Sequence, residues 1–468
     1  MAKLEINPKL CKQCGWCEQF CPKKVFGSRG EILNAEACSK CGLCQLLCPE
    51  GAILFGEQSK ERQGTIQFPA CNALRSNAGR PNLLRQVSRE VSKFGLGWSI
   101  QRSLSEPGPY FISGNGACVR GALDAGCQFY AGYPITPASE IMQDIVKKFG
   151  QTSIGIFIQM EDEISSVGAI IGASQTGVKS MTATSGPGFS LMQENIGYAV
   201  MTDTPCVIIN VQRAGPSTGQ ATRPAFGDLM QAIWGCHGDS PKIVLAPTNA
   251  QECYDLTIKA FNLAEMYLTP VIILTDETIA HLRERIEIPG EIRVFKRVVP
   301  IFGDGQELTV TGSTHYSNGL RAASDPKAQQ DLLDRLKEKM ENIGRHPIID
   351  INCHPENKVV IISCGFTARS VAKAVYNLGL DNKIGTAVIK MLWPFPFKEI
   401  ENAVPHRAKV IVPEMNQGQL IHLIREVCHD PIPLNQTDGL PIEPKTIQAA
   451  VKSCMEKMRQ LKKKTLTG

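Results

Sequence analysis

CVIINVQRAGPSTGQATR, residues 206–223, runs from an unbroken apolar segment straight into a loop of Gly, Pro, Ser and Thr. A short continuous apolar run that ends in turn residues is the pattern of a strand buried on both faces. The pattern recurs in PVIILTD at 270–276 and, more weakly, in IGIFIQ at 154–159, and further strands are expected near 128–131 and 179–183. Helical spacing fills the intervals 137–149, 161–176, 188–201 and 249–267. Strands alternating with helices predict a parallel sheet covered on both faces. Ligands of such sheets bind beyond the carboxyl ends of the strands. Three loops rich in Gly, Pro, Ser and Thr fall at those ends: YPITPAS at 133–139, ATSGPG at 183–188 and RAGPSTGQATR at 213–223. One such loop is an ordinary turn. Three on one sheet edge mark a site.

The totals narrow the class. A chain of 468 residues suggests about three domains. Hydrophobic content of 43% and charged content of 20% suit a protein that buries large cores. The formal charge of +5 is small for this length, and no basic stripe argues for nucleic acid. No apolar run reaches the ~18 residues of a membrane span. The start MAKLEINPKLC has no apolar segment of the kind that directs export, so a reducing cytoplasm is expected. Eighteen cysteines then point to metal or redox chemistry rather than disulfides.

Eight of those cysteines form a repeat. CKQCGWCEQFCP supplies Cys11, Cys14, Cys17 and Cys21, and CSKCGLCQLLCP supplies Cys38, Cys41, Cys44 and Cys48. Each block reads C-x2-C-x2-C-x3-C-P, which implies two similar halves. Three thiolates two residues apart wrap one face of an iron–sulfur cubane, and the fourth reaches the other cubane. The expected ligands are Cys11, Cys14, Cys17 and Cys48 for one [4Fe–4S] cluster and Cys38, Cys41, Cys44 and Cys21 for the second. A structural zinc site separates its two pairs by a dozen residues or so, and the tandem blocks do not fit that spacing. This segment resembles bacterial two-cluster ferredoxins. The other ten cysteines have no ligand spacing and read as buried thiols.

GNGACVRGALDAGCQFYAGYPITPASEI (114–141), EDEISSVGAIIGASQTGVKSMTATSGPGFSLMQENIGYA (161–199) and VQRAGPSTGQATR (211–223) resemble the α subunit of 2-oxoacid:ferredoxin oxidoreductases, the 2-oxoglutarate type above all. The resemblance runs from about 110 to 430. It implies a thiamine diphosphate enzyme and assigns roles. Glu163 matches the glutamate that hydrogen-bonds the aminopyrimidine ring, with Glu161 as its nearby competitor. Thr136 matches a threonine that hydrogen-bonds the 2-oxoacid, and Arg213 matches the arginine that pairs with its carboxylate. Read by themselves, these residues are a helix N-terminal acid, a turn hydroxyl and a surface arginine. His315 and Arg321 are weaker candidates for a distal carboxylate. The GDG at 303–305 lacks the downstream asparagine spacing of a pyrophosphate site and reads as a turn. Thiamine diphosphate and its Mg²⁺ are then expected to be held mostly by a β subunit.

The expected fold class is α/β. Two parallel-sheet domains, one of the thiamine pyrimidine-binding type at 108–344 and one transketolase C-terminal-like at 345–468, follow a small α+β ferredoxin-like domain at 1–57. Residues 58–107 are expected to be a linker wrapping the main body, with a helix near 82–94, and the charged stretch 325–345 an exposed linking helix. The reaction implied is CoA-dependent oxidative decarboxylation of a 2-oxoacid, most readily 2-oxoglutarate to succinyl-CoA. Electrons would pass through the clusters to ferredoxin, with a β subunit, and in some assemblies a γ subunit, as partners and no membrane or nucleic acid involved. Pyruvate, branched-chain and aryl 2-oxoacids are alternative substrates. A non-catalytic electron-transfer or assembly subunit is the alternative from another class.

Overall fold

The structure, a computed structural model, describes residues 4–6, 8, 11, 23–27, 31–37, 53–55, 97–152, 154–297, 308–380 and 383–467. The chain divides into two units, Met1–Leu74 and Arg75–Gly468. In the first, the strands Leu4–Ile6 and Ile53–Phe55 pair antiparallel, with Leu4 opposite Phe55. Leu4, Val25, Phe26 and Ile53 are buried there. Of the eight proposed cluster ligands, Cys11 is partly buried. Cys14, Cys17, Cys21, Cys38, Cys41, Cys44 and Cys48 lie outside the described residues.

The second unit is built on a seven-stranded sheet. Its order is Met391–Trp393, Ile243–Leu245, Val271–Asp276, Val207–Gln212, Ser180–Thr184, Phe129–Gly132, Ile156–Gln159. All pairs are parallel except the edge strand Met391–Trp393. The apolar run 207–212 is central and buried at every residue. Its side chains alternate between two cores. Ile208 joins Ile272, Leu274 and Phe189 on one face; Val207, Ile209 and Val211 join Ile141, Tyr254 and Ile273 on the other. That alternation is why the strands read as continuous hydrophobic segments.

On the second face the helices Gly114–Asp124 and Ala250–Tyr267 pack closely. A Cβ at Gly121 would lie 2.5 Å from the Tyr254 carbonyl oxygen, and one at Gly114 would lie 2.3 Å from the Ile279 carbonyl oxygen. Gly114 and Gly121 of GNGACVRG therefore serve helix contact. Ser113 caps this helix by accepting from the Gly116 N–H.

A five-stranded sheet follows, in the order Ile349–Asn352, Ile384–Ile389, Val359–Ser363, Lys409–Glu414, Ile432–Asn435. It is parallel apart from its first strand. Its apolar residues share a buried cluster with one face of the seven-stranded sheet. The chain leaves this sheet at Ile389 and immediately contributes Met391–Trp393 to the other one.

Three expectations change. The helix at 188–201 is two, Gly186–Leu191 and Gln193–Met201. Within the stretch read as a linker, Gly97–Arg102 is a strand paired with Glu291–Lys296; a partner so far along the chain leaves no local signal. The helix Pro326–Gly344 is not simply exposed, since Ala328, Leu332, Leu336 and Ile343 are buried along one stripe. The expected helix at 82–94 and the GDG at 303–305 lie outside the described residues.

Candidate functional site

The three polar loops do meet at the carboxyl edge of the large sheet. Glu163 is the first residue of the helix Glu163–Gln175. Asp162 caps that helix: its carboxylate accepts from the Ser165 N–H at 2.7 Å and from the Ser165 hydroxyl at 2.7 Å. These bonds hold the Asp162 carboxyl below its usual range. With the cap supplied by Asp162, the Glu163 carboxyl is free to turn inward. It is only 4% exposed, whereas Glu161 is exposed.

The surroundings of Glu163 come from the second loop. Thr184, at the end of the strand Ser180–Thr184, donates its hydroxyl to Glu163 Oε1 at 3.5 Å. Gly188 lies against both. A Cβ there would sit 2.2 Å from Glu163 Oε1 and 2.2 Å from Thr184 Oγ1. Only glycine leaves the carboxyl where it is. Burial pushes the Glu163 carboxyl up from its ordinary value; its backbone and Thr184 hydrogen bonds and the Arg213 charge pull back without cancelling that push.

Arg213 follows the strand Val207–Gln212 and is 8% exposed. Its Nη1 donates to the Thr136 carbonyl oxygen at 2.7 Å, so the first and third loops are tied together. Thr136 itself is exposed. Arg213 Nε is buried and has no hydrogen-bond partner. Burial and two carboxyls, Asp228 and Glu163, act on the guanidinium. Asp228 accepts from Asn210 Nδ2 at 2.8 Å, and its own N–H donates to Gln212 Oε1 at 2.9 Å. The opening loop is anchored on its other side by Asn115, whose Nδ2 donates to the Pro137 carbonyl oxygen at 2.9 Å.

Thr136, Glu163 and Arg213 thus belong to one constellation. His315 and Arg321 form an isolated bridge with each other, on the segment whose Val310 carbonyl accepts from Tyr198. Sequence reading missed Thr184, Gly188 and Asp228. Thr184 and Gly188 sit inside the ATSGPG loop already marked as part of a site; Asp228 carried no signal of its own. The described cysteines outside the amino-terminal repeat are buried, save the half-buried Cys353.

Comparison with known proteins bears directly on this constellation. The family described as "Pyruvate flavodoxin/ferredoxin oxidoreductase, thiamine diP-bdg" matches residues 120–328, which contain all three residues. "Pyruvate:ferredoxin oxidoreductase core domain II" matches 357–447, and "4Fe-4S binding domain" matches 31–54. The 2-oxoglutarate synthase subunit KorA of Methanothermobacter marburgensis is 46% identical over 343 residues, covering 68% of this chain and 91% of the relative. The chain belongs to the 2-oxoacid:ferredoxin oxidoreductase family.

This oxidoreductase subunit is also 31% identical over 358 residues to the ketoisovalerate oxidoreductase subunit VorB of Methanothermobacter thermautotrophicus, covering 75% of the chain and 97% of that relative. Among solved structures it is similar to a 2-oxoglutarate:ferredoxin oxidoreductase from Magnetococcus marinus with 2-oxoglutarate, coenzyme A and succinyl-CoA bound. That match has a TM-score of 0.69 and 29% identity, and it covers 82% of this chain and 76% of the other. The subunit combines a thiamine diphosphate-binding domain with an amino-terminal iron–sulfur domain, and its relatives are subunits of larger oxidoreductases. It therefore works with partner subunits. Among the described residues, no helix is long and apolar enough to cross a membrane.

Proposed function

We propose that this chain is the α subunit of a CoA-dependent 2-oxoglutarate:ferredoxin oxidoreductase. In this reading it converts 2-oxoglutarate and CoA to succinyl-CoA and CO₂ and sends two electrons to ferredoxin. The observation that carries the reading is Glu163: a buried carboxyl with raised proton affinity, bracketed by Thr184 and Gly188, in a chain 46% identical to a 2-oxoglutarate synthase subunit.

The residues fit the aminopyrimidine end of thiamine diphosphate. Glu163 is inward-facing, its Thr184 hydroxyl contact is a long one at 3.5 Å, and Gly188 keeps the space beside it clear of a side chain. When bound, thiamine diphosphate supplies the carbon nucleophile needed for decarboxylation. Glu163 would hold a proton on its carboxyl oxygen against a ring nitrogen, and burial raises the hold of the carboxyl on that proton. Arg213 would bind the 2-oxoacid carboxylate. Its Nη1 is committed to Thr136, and the unpartnered Nε gives the fork a second point of contact. Thr136, exposed at the loop tip, would hydrogen-bond the same substrate.

The remaining assignments follow the same logic. A β subunit would hold the pyrophosphate and Mg²⁺, and two [4Fe–4S] clusters in residues 1–57 would carry electrons one at a time. Residues 108–344 and 345–468 would be the pyrimidine-binding and transketolase C-terminal-like domains, and the complex would be cytoplasmic. The test is anaerobic viologen reduction by the chain purified with its β partner. Reduction should require both 2-oxoglutarate and CoA, with kcat/KM higher than for pyruvate or 2-ketoisovalerate. A complex preferring either competitor would reassign the substrate; one inert to every 2-oxoacid would make the chain an electron-transfer or assembly subunit.

A further inference from the structure

We propose that Asn416 and Gln419, which follow a strand of the five-stranded sheet, are positioning residues for 2-oxoacid binding: they clamp the segment around Asp228 and so aim Arg213. The inference rests on the reading of Arg213 as the carboxylate partner.

The clamp is the loop PEMNQGQ, residues 413–419, at the carboxyl end of the strand Lys409–Glu414. The loop is rigid by its own bonds. Glu414 is 3% exposed and accepts from the N–H groups of Leu420 at 2.6 Å and Ile421 at 3.0 Å. Asn416 Oδ1 accepts from the N–H groups of Gly418 at 2.7 Å and Gln419 at 2.8 Å. That leaves Asn416 Nδ2 and the whole Gln419 amide for the segment opposite.

There they make a bracket. Asn416 Nδ2 donates to the Phe226 carbonyl at 2.7 Å, and the Phe226 N–H donates to the Met415 carbonyl at 3.0 Å. Gln419 Nε2 donates to the Gly227 carbonyl at 2.5 Å, and Gln419 Oε1 accepts from the Met230 N–H at 2.9 Å. Four bonds thus fix the backbone on both sides of Asp228. The Phe226 ring sits against Gly365, where a Cβ would come within 2.6 Å of it. Asp228 in turn is bound to Asn210 and to Gln212, the residue preceding Arg213. Among its charged neighbours, Asp228 acts most strongly on the Arg213 guanidinium. A clamp that slackens lets Asp228 drift, and with it go its bond to Gln212, the residue that carries Arg213, and the place of the carboxyl whose charge acts on the guanidinium. Small displacements of a positioning group are costly to binding geometry, whereas Glu163 lies outside the clamp.

The test is a double-mutant cycle in the assembled complex, read as the 2-oxoglutarate Kd by calorimetry and as KM and kcat. Gln419→Met, which keeps the volume and removes both bonds, should weaken binding and raise KM about tenfold with kcat nearly unchanged. Gln419→Glu, which keeps the acceptor for Met230 but sets a carboxylate oxygen against the Gly227 carbonyl, should weaken binding at least as much. In an Arg213→Ala background, Gln419→Met should change Kd little further. Equal Kd effects in both backgrounds would overturn the clamp while leaving the Arg213 reading intact. An Arg213→Ala variant with unchanged Kd would instead overturn the Arg213 reading. Loss of thiamine, iron or assembly in both Gln419 variants would make the clamp merely structural and would also overturn the proposal.

Discussion

A single buried carboxyl organises the site. Glu163 keeps its place because Asp162 takes over the helix cap and because Gly188 carries no side chain. Two expectations follow. Glu163→Gln should lower turnover at least about 100-fold in the viologen assay, with iron content unchanged. The same variant should be more heat-stable than the parent at neutral pH. The folded-state proton affinity of Glu163 is raised, so its contribution to stability is present below the ordinary carboxyl range and lost as pH rises through the raised value. Melting curves of both proteins should therefore converge toward acid pH; a parent as stable as the variant at neutral pH would contradict the burial argument. Gly188→Ala should likewise abolish turnover, by pushing the carboxyl aside rather than removing it. At this scale the sequence carried much of the site. Glu163, Thr136 and Arg213 stand in recognisable motifs. Thr184 lay in a loop marked as part of a site but without a role of its own, and Asp228 was invisible because it acts through neighbours that only the folded chain brings near.

Elements are held by a few buried ionic contacts as well as by the cores. The helix Pro326–Gly344 docks through Leu332 and Leu336 against Val200. It also docks through Arg335 and Lys339, which reach Asp203 at 2.7 Å and 2.6 Å. Burial pushes the Asp203 carboxyl up, but the two cations outweigh it and hold it below its ordinary range. Asp203→Asn suits the position, since φ is 50° there and asparagine tolerates that conformation. It should nevertheless destabilise the chain by about 1–3 kcal/mol, because two part-exposed cations lose their charged partner. The depressed carboxyl stabilises above its unfolded value and loses that contribution as pH falls through its folded value. The Asn variant should therefore differ from the parent most at neutral pH and least in acid. The central strands and long helices were legible because their apolar periods are strong. The pairing of Gly97–Arg102 with Glu291–Lys296 was not, and the charged surface of Pro326–Gly344 hid its buried stripe.

At the scale of the whole molecule, a thiamine site and an electron acceptor share one polypeptide. The family matches at 31–54 and 120–328 place both in this chain, and the paired cysteine blocks made the electron acceptor legible from spacing alone. The route between them was not legible, since spacing identifies ligands and says nothing of distance. The chain without its partner subunits should show no 2-oxoacid-dependent viologen reduction, and adding them should restore it. The most direct measurement is an anaerobic absorbance titration of the assembled complex with 2-oxoglutarate, for the parent and for Glu163→Gln. The parent should bleach its iron–sulfur absorption on adding the 2-oxoacid, and the variant should bleach only with dithionite. Bleaching by 2-oxoglutarate in the variant equal to that in the parent, or none in a parent loaded with thiamine diphosphate, would contradict the account.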